Sequence, residues 1–110
     1  MKGFGEKHKS KKKSNKKNKP SNEKIMNKAF NFHKIGNTSE ANKYYQQLIN
    51  QGFKDHRVFS NYGIILKDQN KLKDAELIIR KAININPKFG NAHYNLGLIL
   101  RDMGNSKEAE

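Results

Sequence analysis

Histidine, lysine and asparagine are the residue types left to do chemistry in this 110-residue chain, which has no cysteine and no tryptophan. His8, His33, His56 and His93 show neither the four-residue pairing on one helix that seats a metal nor a carboxylate motif beside it. Gly3-Phe4-Gly5 is too short to cradle a phosphate. No catalytic residue, metal ligand or cofactor is therefore expected in this segment, which is not read as an enzyme. What does recur is an amide: Asn27, Asn61 and Asn95 stand 34 residues apart. A side-chain amide both donates and accepts, so it can satisfy a peptide group whatever side chain that peptide carries. At the same spacing His33, Lys67 and Arg101 form a basic row, and Phe30, Ile64 and Leu98 an apolar one. Each has a plain alternative. Asparagine is abundant throughout the chain, the basic row reads equally well as a solvated face, and Ile64 and Leu98 could simply pack against their neighbours.

The spacing belongs to a longer pattern. Sliding the chain by 34 residues superposes Ala29 on Gly63 and Gly97, Phe32 on Leu66 and Leu100, and Gly36 on Asn70 and Gly104. Ala41, Ala75 and Ala109 also coincide, each directly preceded by an acid: Glu40, Asp74 and Glu108. Such self-similarity marks a repeat architecture. Within each unit the apolar residues step by three and four, as one buried helical face requires: Ile25, Ala29 and Phe32; Phe59, Gly63 and Leu66; Ala41, Tyr44, Tyr45 and Leu48; Ala75, Ile78, Ile79 and Ala82. Gly36-Asn37 and Asn70-Lys71 can take the positive φ of a helix C-cap, and Thr38 and Ser39 are candidate N-caps. Pro87 stops a helix, having no N–H to donate and disfavouring a helical residue before it. The expected helices run near 22–35, 38–51, 56–69, 72–85 and 90–103, with a sixth beginning near 106.

Charge divides the chain in two. The net charge is +13, and residues 2–19 hold nine lysines against the single acid Glu6. With Phe4 the one large apolar side chain after Met1, residues 1–21 cannot build a core and are expected to be a disordered Lys-rich tail. Its partners, if any, would be anionic: nucleic acid phosphates or acidic membrane headgroups. It has no arginine for bidentate base readout, and no aromatics interleaved for stacking. No apolar run approaches the roughly 18 residues of a membrane helix, so a cytoplasmic protein is expected.

The repeat resembles the tetratricopeptide repeat. Ala92, Tyr94, Asn95, Leu96, Gly97, Leu100, Gly104 and Ala109 are similar to that family's first-helix signature leading into the second. The unit 56–89 carries Tyr62, Gly63, Leu66, Ala75, Ala82 and Pro87 at the family's positions. The first unit is more divergent, with Lys28 for the preferred Leu, Ala29 for Gly, and Phe53 for the proline. The expected organisation is a divergent first repeat at 22–55, a second at 56–89 and a third at 90–110 cut short in its second helix. The chain thus reads as a piece of a longer one.

The resemblance implies an all-α, antiparallel helix-pair solenoid whose first helices line a concave groove for an extended peptide or a partner helix. Carried over residue by residue, the groove comprises Asn27, Phe30 and His33; Arg57, Asn61, Ile64 and Lys67; and Asn91, Tyr94, Asn95, Leu98 and Arg101. Some members clamp a partner's terminal carboxylate with lysine and asparagine. Here Met26 and Phe30 occupy the first clamp pair and Asn91 and Asn95 replace basic groups, so that use is not expected. Others lay an asparagine ladder against a peptide backbone, which Asn27, Asn61 and Asn95 reproduce. The function implied is protein binding, with a protein or peptide partner of acidic character. The alternative is the substrate-recruiting region of a glycosyl-, sulfo- or methyltransferase whose catalytic domain lies beyond Glu110.

Overall fold

The computed structural model of the chain describes residues 20–109, with side chains to Asn105. The disordered tail expected over 1–21, and the anionic partners assigned to it, lie outside the described residues apart from Pro20 and Ser21.

Among the described residues the chain is all helix: α1 Asn22–Lys34, α2 Thr38–Asn50, α3 His56–Asp68, α4 Leu72–Ile85 and α5 Gly90–Ala109. Each packs on the next in sequence, and α3 also meets α5, so the helices stack as a solenoid rather than close around one centre.

The turns follow from local chemistry. Gly36, Gly52 and Asn70 take φ of 87°, 81° and 63°. In each case the next amide reaches back to the helix: Asn37 N–H to Phe32 O at 2.8 Å, Phe53 N–H to Leu48 O at 3.0 Å, and Lys71 N–H to Leu66 O at 2.9 Å. These left-handed caps satisfy carbonyls that the helix end leaves free. Starts are capped too. Ser21 Oγ accepts from Lys24 N at 3.2 Å and Asp55 Oδ1 from Arg57 N at 2.9 Å. The cap of α2 differs from expectation: Asn37 Oδ1, not Thr38 or Ser39, accepts from Glu40 N at 3.3 Å. The left-handed Gly36 delivers Asn37 to the cap position, and Thr38 is already helical.

A second correction concerns the C-terminal end. No turn forms at Gly104 and no sixth helix begins near 106; α5 runs unbroken for 20 residues. Reversing there would sacrifice helical hydrogen bonds and require a new nucleus, whose cost only packing can offset. Residues 106–109 extend the existing ladder instead.

The core lies in two adjoining clusters. Ile25, Met26, Ala29, Ala41, Tyr45, Leu48, Val58 and Ile65 form the first; Phe59, Leu66, Ala75, Ile79, Ala82, Ala92 and Ile99 form the second. Helix α3 belongs to both, Val58 and Ile65 seven apart on one stripe, Phe59 and Leu66 seven apart on the next. The small residues have a visible purpose. A Cβ on Gly63 would lie 2.5 Å from Ile79 Cδ1, so α3 and α4 touch where only glycine fits. The divergent Lys28 is accommodated by Tyr44, whose ring centroid is 5.8 Å from the ammonium while the same ring stacks on Phe32.

Candidate functional site

The groove candidates come from three helices: α1 supplies Asn27, Phe30 and His33; α3 supplies Arg57, Asn61, Ile64 and Lys67; α5 supplies Asn91, Tyr94, Asn95, Leu98 and Arg101. Their environments differ more than the spacing implies.

Two asparagines of the ladder are tethered to the neighbouring unit. Asn61 Nδ2 donates to Tyr45 Oη at 3.2 Å, and Asn95 Nδ2 donates to Ser60 Oγ at 3.4 Å. Asn27 is exposed and holds no such bond among the described residues. Each tethered amide keeps a second N–H and its carbonyl oxygen for other use.

Tyr45 is fully buried in the first cluster, and its hydroxyl lies 3.0 Å from His33 Nδ1 as well as accepting from Asn61. With the imidazole neutral, the hydroxyl donates to Nδ1, and a chain of hydrogen bonds runs from α3 through α2 to α1. Burial pushes the Tyr45 phenol up to about 12, against the pull of the Asn61 bond. Burial likewise lowers His33 below its ordinary value, which the Asp68 carboxylate partly offsets. His33 is therefore neutral near pH 7.

Lys67 and Arg101 carry their charge beside an acid. Lys67 Nζ lies 3.4 Å from Asp68 Oδ1, and Arg101 Nη2 lies 3.3 Å from Asp102 Oδ1. The row that reads as basic in sequence presents, in the folded chain, one neutral imidazole and two ion pairs. Arg57 is held most firmly: Nε and Nη2 grip both carboxylate oxygens of Asp55 at 3.0 and 2.8 Å, Nη2 reaches Met26 Sδ at 3.8 Å, and the guanidinium sits 5.6 Å from the Phe30 ring centroid. That grip holds the Asp55 carboxyl below its usual range. Phe30, Ile64 and Leu98 are half-buried, whereas Asn91 and Tyr94 are exposed.

Tyr45 is the residue that sequence reasoning assigned to packing alone. A signal existed, because a buried tyrosine hydroxyl nearly always finds a partner, but periodicity cannot say which one.

Among the described residues no cluster of three His, Asp or Glu could hold a metal ion, and no helix is long and apolar enough to cross a membrane. Two family models, both of the tetratricopeptide repeat, match residues 56–89 and 78–110 and together span the second half of the chain. The chain belongs to the tetratricopeptide-repeat family. No curated protein matches it. Tetratricopeptide repeats are non-catalytic units that mediate protein–protein interaction, and the all-helical repeat fold of this chain is that of the family.

Proposed function

We propose that α1, α3 and α5 form a groove that holds an extended segment of a partner protein, with Asn27, Asn61 and Asn95 gripping its backbone. In this reading residues 22–55, 56–89 and 90–110 are successive repeats, each contributing one rung. The observation that carries the reading is the tethering of Asn61 to Tyr45 and of Asn95 to Ser60. A tethered amide is oriented before the ligand arrives, so less rotamer entropy is lost on binding. Because its partners are backbone groups, the ladder confers affinity without sequence preference. Selectivity then falls to Phe30, Ile64 and Leu98 for apolar side chains, and to Lys67 and Arg101 for acidic ones, weakened by Asp68 and Asp102 alongside.

The test is titration of a peptide selected against the folded chain from a random library, comparing the parent with the Asn27→Ala, Asn61→Ala, Asn95→Ala triple variant. At roughly 0.5 to 1.5 kcal/mol per net hydrogen bond, affinity should fall about ten- to a thousandfold. Because Asn61→Ala and Asn95→Ala also unhook Tyr45 and Ser60, helicity is followed in parallel. Asn27→Ala alone probes the groove without disturbing the core. Unchanged affinity in a triple variant that remains helical would remove the ladder from the binding site.

A further inference from the structure

Phe53 stands where the matched position of the next unit holds Pro87. Gly52, at φ 81°, turns the chain out of α2, and Phe53 N–H closes the cap on Leu48 O at 3.0 Å. The half-buried Phe53 side chain then lines a cleft of about 350 Å³ between α2, the turn into α3, and α4. Ile49, Phe59 and Ile85 line it too. Because Ile49 packs against both core clusters, the cleft opens on the seam where they adjoin. Each of α2, α3 and α4 has both of its chain neighbours packed on it, so this is not an end face of the solenoid. Its volume is near the lower end for ligand clefts, room for roughly one or two apolar side chains.

Two lysines also line the cleft, Lys54 from the turn and Lys81 from α4. Among the described residues neither is in an ion pair. Asp55, the acid next to Lys54, is gripped by Arg57. On α4 the positions three and four residues from Lys81 are Leu77, Ile78, Asn84 and Ile85, none of them acidic. The cations among the groove candidates differ, since Arg57, Lys67 and Arg101 each lie against a carboxylate. Two unneutralised ammonium groups around an apolar recess are complementary to an apolar side chain with acids beside it. We infer that this cleft takes a short acidic segment of a partner protein, one large apolar side chain seated among Ile49, Phe53, Phe59 and Ile85 and its neighbouring carboxylates on Lys54 and Lys81. The two cations come from separate elements, so they serve acids on either side of the anchor, which a polypeptide supplies and a single-headed amphiphile does not. The cleft shares no residue with the groove candidates, so this inference stands apart from the ladder.

The probe is an acetylated, amidated peptide with one leucine between two pairs of glutamates, titrated at low salt into the isotope-labelled chain and followed by amide shifts. Shifts concentrated at Gly52, Phe53, Lys54 and Ile85 are expected. Alanine in place of the peptide's leucine should weaken binding at least about tenfold, because the buried apolar area is lost. Lys54→Ala and Lys81→Ala, both at exposed positions and harmless to the fold, should each weaken it about two- to fivefold, an effect that fades as salt rises. Absence of shifts at millimolar peptide would overturn the inference, as would equal binding of a peptide with lysines for its glutamates. Shifts centred on Lys67 and Arg101 would also overturn it, returning acidic recognition to the groove and leaving the ladder to its own test. Octanoate giving the same shifts at lower concentration than the peptide would assign the cleft to a free apolar acid and overturn it as well.

Discussion

At the residue scale the Tyr45 hydroxyl decides most, because it joins three helices at one atom. Tyr45→Phe keeps the ring in the first cluster but leaves Asn61 Nδ2 and His33 Nδ1 without their partner. The expected cost is about 1 to 3 kcal/mol, read as a lower urea midpoint at unchanged slope. A loss well under that range would mean water replaces the hydroxyl. His33 gives the same junction a pH dependence. Its folded pKa is below the unfolded 6.5, so the unfolded chain binds the extra proton more readily. The stability it contributes is complete above pH 6.5 and is lost as pH falls from there through the folded pKa. Urea midpoints compared at about pH 7.5 and pH 5.5 should show the decline. His33→Asn, whose Oδ1 stands in for Nδ1 without titrating, should flatten it.

At the element scale the repeated glycine separates sequence position from structural role. Gly63 and Gly97 occupy equivalent sites, yet a Cβ would be 2.5 and 2.6 Å from two atoms of Ile79 in the first case and would touch nothing within 4 Å in the second. Ile79 is fully buried, so any shift of its side chain disturbs the packing around it. Gly63→Ala should therefore destabilise by about 1 to 3 kcal/mol, through overpacking. Gly97→Ala should stabilise by about 0.5 to 1 kcal/mol, since alanine loses less conformational freedom in a helix interior. Opposite shifts in thermal midpoint from the same substitution at matched positions are the signature. Two shifts of the same sign would mean that α5 is covered much as α3 is. The helix ends follow the same logic: Gly36, Gly52 and Asn70 reverse the chain because a second helix is waiting to pack there, while Gly104 stays helical.

At the scale of the whole molecule, the two core clusters meet in α3, so that helix is the joint of the solenoid. Val58 and Ile65 serve one cluster, Phe59 and Leu66 the other. Opening either end leaves α3 packed on the remaining side. Repeat arrays of this kind fray by unit rather than melt all at once. Amides of α3 between Tyr62 and Leu66 should exchange with solvent at least about tenfold more slowly than those of α1 or of α5 beyond Leu98, under conditions that keep the chain native. Uniform protection from α1 to α5 would show a single cooperative unit instead.

The sequence by itself determined the helices and their order. The 34-residue register, the three- and four-step apolar rows, the left-handed positions Gly36 and Asn70, and the stop at Pro87 are all local or periodic properties, which a chain displays without folding. Their readings agree with the observed helices to within about two residues from α1 to α4. The candidate groove residues were legible as positions, since equivalent positions in a repeat share a face. Their chemistry was not. Whether a lysine at that face is free or paired depends on Asp68 beside it, and whether a histidine is charged depends on how deeply Tyr45 draws it into the core. The sequence pattern also called for a turn at Gly104, where the folded chain has continuous helix. A turn of that kind is bought by packing across it, and packing is a property of neighbours in space. Only the tertiary structure could therefore decide that α5 runs straight, leaving Gly97 and Leu100 bare.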